Sequence, residues 1–189
     1  DAGIDQVNIT THFQAEQIKD RFGDGSDRGL NLTYTQEDEP LGTAGALSMV
    51  DPGDQPLLVI NGDILTQTDF RAMLNFHNDH DSDITVAVRT YEVSVPFGVI
   101  KAEGAKVTRL DEKPALSFFI NAGIYLLEPA VVRRIEPGKR MDMTDLISRV
   151  IDEGGQVTSF PIHEYWIDIG VIEDYLRAQG DAKSGKLKP

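Results

Sequence analysis

Two aspartates stand where a chain could hold a hard divalent cation. Asp63 closes the run Leu57-Leu58-Val59-Ile60-Asn61-Gly62-Asp63, and Asp168 lies in Trp166-Ile167-Asp168-Ile169-Gly170, just ahead of a predicted helix. In open α/β sheets, ligands gather at the carboxyl ends of strands. A carboxylate there can bind Mg²⁺, with water and phosphate oxygens completing the octahedron. Taken singly, Asp63 divides evenly between metal ligand and turn residue, and Asp168 reads first as a helix cap. As a pair at neighbouring strand ends they read as a metal site for phosphate chemistry. Two further segments carry candidate chemistry. Glu37-Asp38-Glu39-Pro40-Leu41-Gly42-Thr43-Ala44-Gly45 can form a tight loop that brings the backbone close to a flat ligand. It is no Walker loop, since no Gly-Lys-Ser/Thr follows. In Glu112-Lys113-Pro114, Lys113 can offer a point charge to a phosphate, or simply form a weak surface ion pair.

The elements that must position these residues alternate. Strands are predicted at Gln6 to Thr10, Leu30 to Thr35, Leu57 to Ile60 and Ile84 to Arg89. Leu57 to Ile60 is a continuous apolar run, which predicts cover on both faces. Helices are predicted over Gln14 to Phe22, capped by Thr11, over Thr43 to Val50, and over Asp69 to His80, capped by Asp69. That alternation implies right-handed crossovers and a mainly parallel sheet. The second half is richer in strands: around Gly98 to Lys101, Lys106 to Leu110, Phe118 to Leu127 and Val157 to Ile162. Its helices are expected at Pro129 to Ile135, Met143 to Glu153 and Val171 to Ala178. No repeat or linker divides the chain, so residues 1–182 read as one domain and 183–189 as a polar, frayed tail.

Composition narrows the function classes. The 189 residues include no cysteine, which excludes disulfides, thiolate–zinc sites and thiol nucleophiles. A net charge of −13 opposes nucleic-acid binding, while small phosphorylated substrates need only a few local cations or a bound metal. No apolar run is long enough to cross a bilayer. His77 and His80, three apart on a helix, lack a third clustered ligand and read as surface residues. Asp79, Asp81 and Asp83 mimic the start of an EF-hand, but Ile84 and Thr90 occupy its sixth and twelfth positions. Asn8-Ile9-Thr10 and Asn31-Leu32-Thr33 match glycosylation acceptors but fall in predicted strands. No Gly-x-Ser-x-Gly nucleophile elbow occurs.

Seven short motifs in order together resemble the sugar-phosphate nucleotidyltransferases, which make nucleotide sugars such as GDP-mannose, dTDP-glucose and UDP-glucose. They are Glu-x-x-Pro-Leu-Gly-Thr-Ala-Gly (37–45), Asn-Gly-Asp (61–63), Pro-Phe-Gly-Val (96–99), Glu-Lys-Pro (112–114), Asn-Ala-Gly-Ile-Tyr (121–125), Asp-Met-Thr-Asp-Leu (142–146) and Trp-Ile-Asp-Ile-Gly (166–170). The wording is closest to bacterial hexose-1-phosphate members. The resemblance implies a Rossmann-like three-layer α/β/α sandwich with a mixed, mainly parallel sheet. It implies Asp63 and Asp168 as acids holding Mg²⁺, and Leu41, Gly42 and Thr43 under the nucleobase. Phe97, Gly98, Asn121 and Gly123 fall on the sugar-contacting segments, Glu112 on the sugar-hydroxyl acceptor and Lys113 on the phosphate lysine.

The family opens with a strand, a Gly-Gly-x-Gly-x-Arg-Leu loop and a later Pro-Lys-Pro lysine. None occurs here, so that strand and phosphate loop are expected to lie outside this chain, which would begin after the helix following the loop. The implied reaction is in-line attack of a sugar 1-phosphate oxygen on the α-phosphorus of a triphosphate, with Lys113 fixing the attacking phosphate. At Glu37, relatives that transfer thymidylyl or uridylyl groups often carry glutamine. A carboxylate only accepts hydrogen bonds and suits the adjacent donors of guanine, so the expected triphosphate is GTP. A catalytically inactive relative serving as a regulatory subunit is the alternative. A glycosyltransferase would favour Asp-x-Asp where Asn-Gly-Asp stands, and a plain nucleotide-binding module leaves the sugar-side motifs unexplained. The expected partners are small-molecule substrates and a second copy of the chain, with no nucleic acid and no membrane, and the expected compartment is cytoplasmic.

Overall fold

The computed structural model of the chain describes residues 3–187. Its strands are β1 (Gln6–Thr11), β2 (Asn31–Gln36), β3 (Leu57–Ile60), β4 (Ile64–Thr66), β5 (Ile84–Ser94), β6 (Val99–Glu103), β7 (Lys106–Asp111), β8 (Ala115–Leu127), β9 (Val157–Pro161) and β10 (Trp166–Asp168). The helices are α1 (Ala15–Phe22), α2 (Gly42–Gly45), α3 (Phe70–Asp79), α4 (Pro129–Val132), α5 (Met143–Asp152) and α6 (Ile172–Lys183), with 3₁₀ turns at Ser26–Arg28 and Ala46–Met49.

The central sheet has the order β3-β8-β5-β9, with β8 antiparallel to both neighbours and β9 parallel to β5. β1 and β2 pair in parallel as a separate two-stranded sheet. β4–β10 and β6–β7 are antiparallel pairs. The sheet is mixed, as expected, but its parallel share is smaller than the alternation of the first half suggests. The difference comes from β8, which returns from the β6–β7 hairpin and enters the sheet between β3 and β5.

Side-chain alternation builds a layer on each face of this sheet. Ile84, Val86, Val88, Tyr125 and Leu127 point to one face and pack on Ala44, Val131, Val132, Met143, Leu146 and Val150 from α2, α4 and α5. Ala87, Ile124 and Leu126 point to the other and pack on Met73 of α3 and on Ile162. Each large aliphatic side chain buried this way contributes about 1.5–3 kcal/mol. α3 begins where expected, because the Asp69 carboxylate accepts the backbone N–H groups of Arg71 and Ala72. α5 carries a full capping box between Asp142 and Asp145.

Several expectations need correction. Thr11 does not cap α1. It ends β1 in register with Gln36, and its buried hydroxyl has no partner among the described residues. The helix instead starts from Gln14 in a left-handed conformation with no side-chain cap. β3 is covered on both faces, with Leu57 and Val59 against one core layer and Leu58 against the other, but it lies at an edge of its sheet, so these residues are only half-buried and Ile60 is 40% exposed. His77 is not a surface residue. It is buried, with Nδ1 at 2.8 Å from Thr85 Oγ1 and Nε2 at 3.2 Å from Glu128 Oε1. His80 is exposed, as expected, and stacks on Phe76. The tail is tied further than expected: α6 runs to Lys183, and Lys186 Nζ pairs with Asp181 at 3.1 Å. Residues 188–189 lie outside the described residues.

Candidate active site

A cleft of about 230 Å³ opens at the carboxyl end of β3. Its floor is a wide bulge in β8. Val86 and Val88 of β5 pair with Tyr125 and Asn121, so Ala122, Gly123 and Ile124 oppose the single Ala87. Bulges of this kind re-aim the chain and favour site edges. Gly123 makes the turn at φ 71°, and a Cβ there would come within 2.9 Å of Asn61 Nδ2. The bulge is locked from three sides. Asn121 Oδ1 accepts the Gly123 N–H at 2.9 Å, the Asn61 N–H donates to Gly123 O at 2.9 Å, and the Trp166 indole N–H donates to Ala122 O at 2.8 Å. Burial pushes the Tyr125 hydroxyl above the ordinary value of 10.0, against the opposing effect of its hydrogen bond with Asn121.

The two aspartates meet beside this cleft. Asp63 lies in the turn between β3 and β4, and Asp168 ends β10. The antiparallel β4–β10 pair sets Asp168 opposite Ile64, and the Ile169 N–H donates to Asp63 O at 2.8 Å. A methyl group built on Gly170 would lie 3.0 Å from Asp168 Oδ1 and 3.4 Å from Asp63 Oδ2. Both carboxylates therefore border one small volume, left open because residue 170 has no side chain. The Gly170 N–H holds Asp168 Oδ1 at 2.8 Å, so Asp168 serves this turn and does not cap α6, whose cap is Val171. Both acids are exposed, and neither forms an ion pair among the described residues. No group of three or more His, Cys, Asp or Glu side chains with metal-binding geometry occurs among the described residues. Two carboxylates with open oxygens suit a cation that takes its other ligands from water and phosphate, the habit of Mg²⁺.

The other predicted residues form two separate groups. In the first, Glu37 Oε2 accepts the Leu41 N–H at 2.8 Å and so closes the loop on itself. Gly42 turns at φ 77° directly against Met141 and Asp142. Thr43 Oγ1 accepts the Met143 N–H at 2.8 Å, and Ala44 and Gly45 donate to Met141 O. The Asp-Met-Thr-Asp-Leu motif thus acts as the anchor of this loop. In the second group, Phe97 is 73% exposed, and a Cβ on Gly98 would sit 3.1 Å from Glu112 Oε2. Lys113 is exposed at φ 44°, an uncommon angle for a residue other than glycine. No hydrogen bond or ion pair joins these groups to each other or to the aspartate cleft among the described residues.

Asn61, Trp166 and Gly170 build the cleft but carry no role in the sequence reading, although all three sit inside its motifs. Their signal was adjacency: each flanks a strand-end acid. Tyr125 closes the motif that holds Asn121 and Gly123.

The family model described as nucleotidyl transferase matches residues 1–185. Among curated proteins, the chain is similar to the probable mannose-1-phosphate guanylyltransferase 2 of Arabidopsis thaliana. The two are 33% identical over 187 residues, covering 92% of this chain and 51% of that protein. It is 32% identical over 184 residues to the mannose-1-phosphate guanylyltransferase catalytic subunit beta of Danio rerio, covering 93% and 51%. The chain thus spans about half the length of the curated relatives it matches. Among solved structures, HddC from Yersinia pseudotuberculosis superposes with a TM-score of 0.73 at 23% identity, covering 96% of this chain and 80% of that one. A putative glucose-1-phosphate thymidylyltransferase from Bacillus anthracis, solved in complex with a sucrose, gives a TM-score of 0.69 at 25% identity, covering 93% and 75%.

Proposed function

The chain belongs to the nucleotidyl transferase family, and on that premise we propose that it acts as a sugar-1-phosphate nucleotidyltransferase. The reaction joins a hexose 1-phosphate to a nucleoside triphosphate and releases pyrophosphate. A phosphate oxygen of the sugar 1-phosphate attacks the α-phosphorus, the bond to the β-phosphate breaks, and the electron pair leaves with pyrophosphate. The observation that carries this reading is the convergence of Asp63 and Asp168 on the space beside Gly170.

Asp63 and Asp168 are the residues that would hold Mg²⁺, which when bound supplies neutralisation of the phosphate charge. The remaining work is positioning and electrostatics. Asn121 and Gly123, fixed by the β8 bulge, would face the sugar, along with Phe97 and Gly98. Glu112 would accept a sugar hydroxyl, and Lys113 would bind the attacking phosphate. Leu41, Gly42 and Thr43 would support the base, on a loop held shut by Glu37.

The names of the curated relatives support GTP as the triphosphate and mannose 1-phosphate as the acceptor. So does Glu37. Its Oε2 already takes the Leu41 N–H, which leaves Oε1 to accept a donor from guanine. No described helix is long and apolar enough to cross a membrane, and the reading implies a cytoplasmic enzyme. Pyrophosphate release from GTP, UTP and dTTP, each with mannose 1-phosphate and Mg²⁺, tests the proposal. GTP should turn over fastest, and Glu37→Gln should narrow its lead. Equal turnover of dTTP or UTP would refute the guanine assignment. Absence of pyrophosphate from all three with folded protein would refute the activity.

A further inference from the structure

The corner where β1 gives way to α1 carries local costs. Thr11 is 4% exposed, and its hydroxyl has no partner among the described residues. A buried hydroxyl without a hydrogen bond is destabilising. Gln14 holds φ 55°, and α1 starts from it with no side-chain cap. Strain of this kind collects at functional sites. Between the two stands His12, which is exposed and yet held: its Nδ1 lies 3.0 Å from the backbone O of Glu37.

β1 and β2 run in parallel, and their last registered pair is Thr11 with Gln36. His12 and Glu37 are therefore the next residues out, at the carboxyl ends of two adjacent strands, where open α/β sheets take ligands. The Glu37 N–H donates to Thr11 O at 2.8 Å, and the His12 ring returns to Glu37 O, so the two strand ends are stitched together. A carbonyl oxygen only accepts, so Nδ1 carries the proton, and in the neutral ring Nε2 is left as an acceptor. The bond thus fixes both the place of the ring and its tautomer, as the partner of one ring nitrogen does in functional histidines. Nε2 lies on the far side of the ring from Glu37 O, and no group among the described residues holds it.

On the nucleotidyltransferase reading, on which this rests, we propose that His12 is a further specificity-determining residue, its Nε2 accepting a hydrogen bond from the nucleoside half of the triphosphate. Chemistry selects that half. Phosphate oxygens are acceptors, which a lone pair repels. Guanosine offers donors in the 2-amino group of the base and the 2′-hydroxyl of the ribose. Glu37 Oε2 is already engaged by the Leu41 N–H at 2.8 Å, which leaves Oε1 as the open acceptor of that carboxylate. His12 Nε2, on a ring bonded to the same residue, supplies a second acceptor beside it.

Equilibrium titration of GTP, ITP and 2′-deoxy-GTP into the wild type and His12→Asn tests this without turnover. Mg²⁺ is present, and a pH of about 8 favours the neutral imidazole. ITP lacks the 2-amino group, and 2′-deoxy-GTP lacks the 2′-hydroxyl. An asparagine amide N–H falls close to the place of the Nδ1–H, so the substitution keeps the bond to Glu37 O and removes Nε2. GTP should bind His12→Asn about 2- to 12-fold more weakly than the wild type, the range of one hydrogen bond. One analogue should bind both proteins alike: ITP if Nε2 takes the 2-amino group, 2′-deoxy-GTP if it takes the hydroxyl. His12 is exposed, so circular dichroism and melting temperature should be unchanged. Equal GTP affinity in the two proteins would overturn the proposal and leave the nucleotidyltransferase reading standing. So would a uniform loss across all three nucleotides, the result expected if the ring only braces the loop. A folded wild type that binds none of the three would overturn both.

Discussion

Gly170→Ala isolates the geometry on which the metal-site proposal rests. The substitution adds one methyl group at an exposed position whose backbone lies outside the left-handed region, so the chain can accept it without refolding. The methyl would contact Asp168 Oδ1 at 3.0 Å and Asp63 Oδ2 at 3.4 Å. The first distance is too short, and the Asp168 carboxylate must move by a few tenths of an ångström. The methyl would also occupy the volume both carboxylates border. Octahedral Mg²⁺ or Mn²⁺ binds oxygen within a narrow range near 2.0–2.1 Å, so a displaced carboxylate is close to a lost one. We expect Mn²⁺ affinity to fall about 10- to 100-fold, or roughly 1.4–2.7 kcal/mol at about 1.36 kcal/mol per decade. Electron paramagnetic resonance of free Mn²⁺ reads this directly and needs no turnover. The melting temperature of the apo protein should stay within a degree or two, since exposed substitutions away from special features cost under about 0.5 kcal/mol. Wild-type Mn²⁺ affinity in Gly170→Ala would show that the two carboxylates do not share a cation in this volume.

Two other substitutions probe the scaffold. Gly42→Ala would force a side chain into a left-handed turn at φ 77° and press its Cβ within 2.5 Å of Asp142 Oδ1 and 2.6 Å of Met141 O. The backbone term alone is about 1–3 kcal/mol, so a melting temperature lower by roughly 2–12 °C is expected at about 2–4 °C per kcal/mol. Tyr125 has its pKa raised by burial, so the folded state keeps the hydroxyl proton longer than the unfolded state does. Its contribution is fully present below the ordinary value of 10.0 and is lost as pH rises through the folded value. Melting curves above pH 10 should therefore fall more steeply in the wild type than in Tyr125→Phe.

The sequence revealed those parts of the fold whose causes are local. The apolar run at Leu57 to Ile60 and the Asp69 cap of α3 depend on a few adjacent residues, and both stand where expected. β4 and β10 were invisible as strands, because three residues are too few to show a period. The convergence of Asp63 and Asp168 hangs on that pair, formed across about a hundred residues of chain. The sequence could thus nominate both acids, but Gly170 becomes meaningful only once the pairing is seen. His77 was misplaced for a similar reason. Its partners, Thr85 and Glu128, come from β5 and the start of α4, and nothing in the spacing of two histidines on a helix announces them. The full length of β5 and β8 was missed because their outer residues alternate weakly: Thr90, Glu92 and Ser94 look like loop residues until Phe119, Ser117 and Ala115 are found opposite them.

The central claim is that Asp63 and Asp168 act together on a metal-bound nucleotide sugar. Calorimetric titration of GDP-mannose into the wild type, Asp63→Ala and Asp168→Ala, with and without Mg²⁺, tests it most directly. The account predicts Mg²⁺-dependent binding by the wild type and its loss in both variants, with no change in their folding. Binding that is indifferent to Mg²⁺, or that survives in either variant, would contradict it.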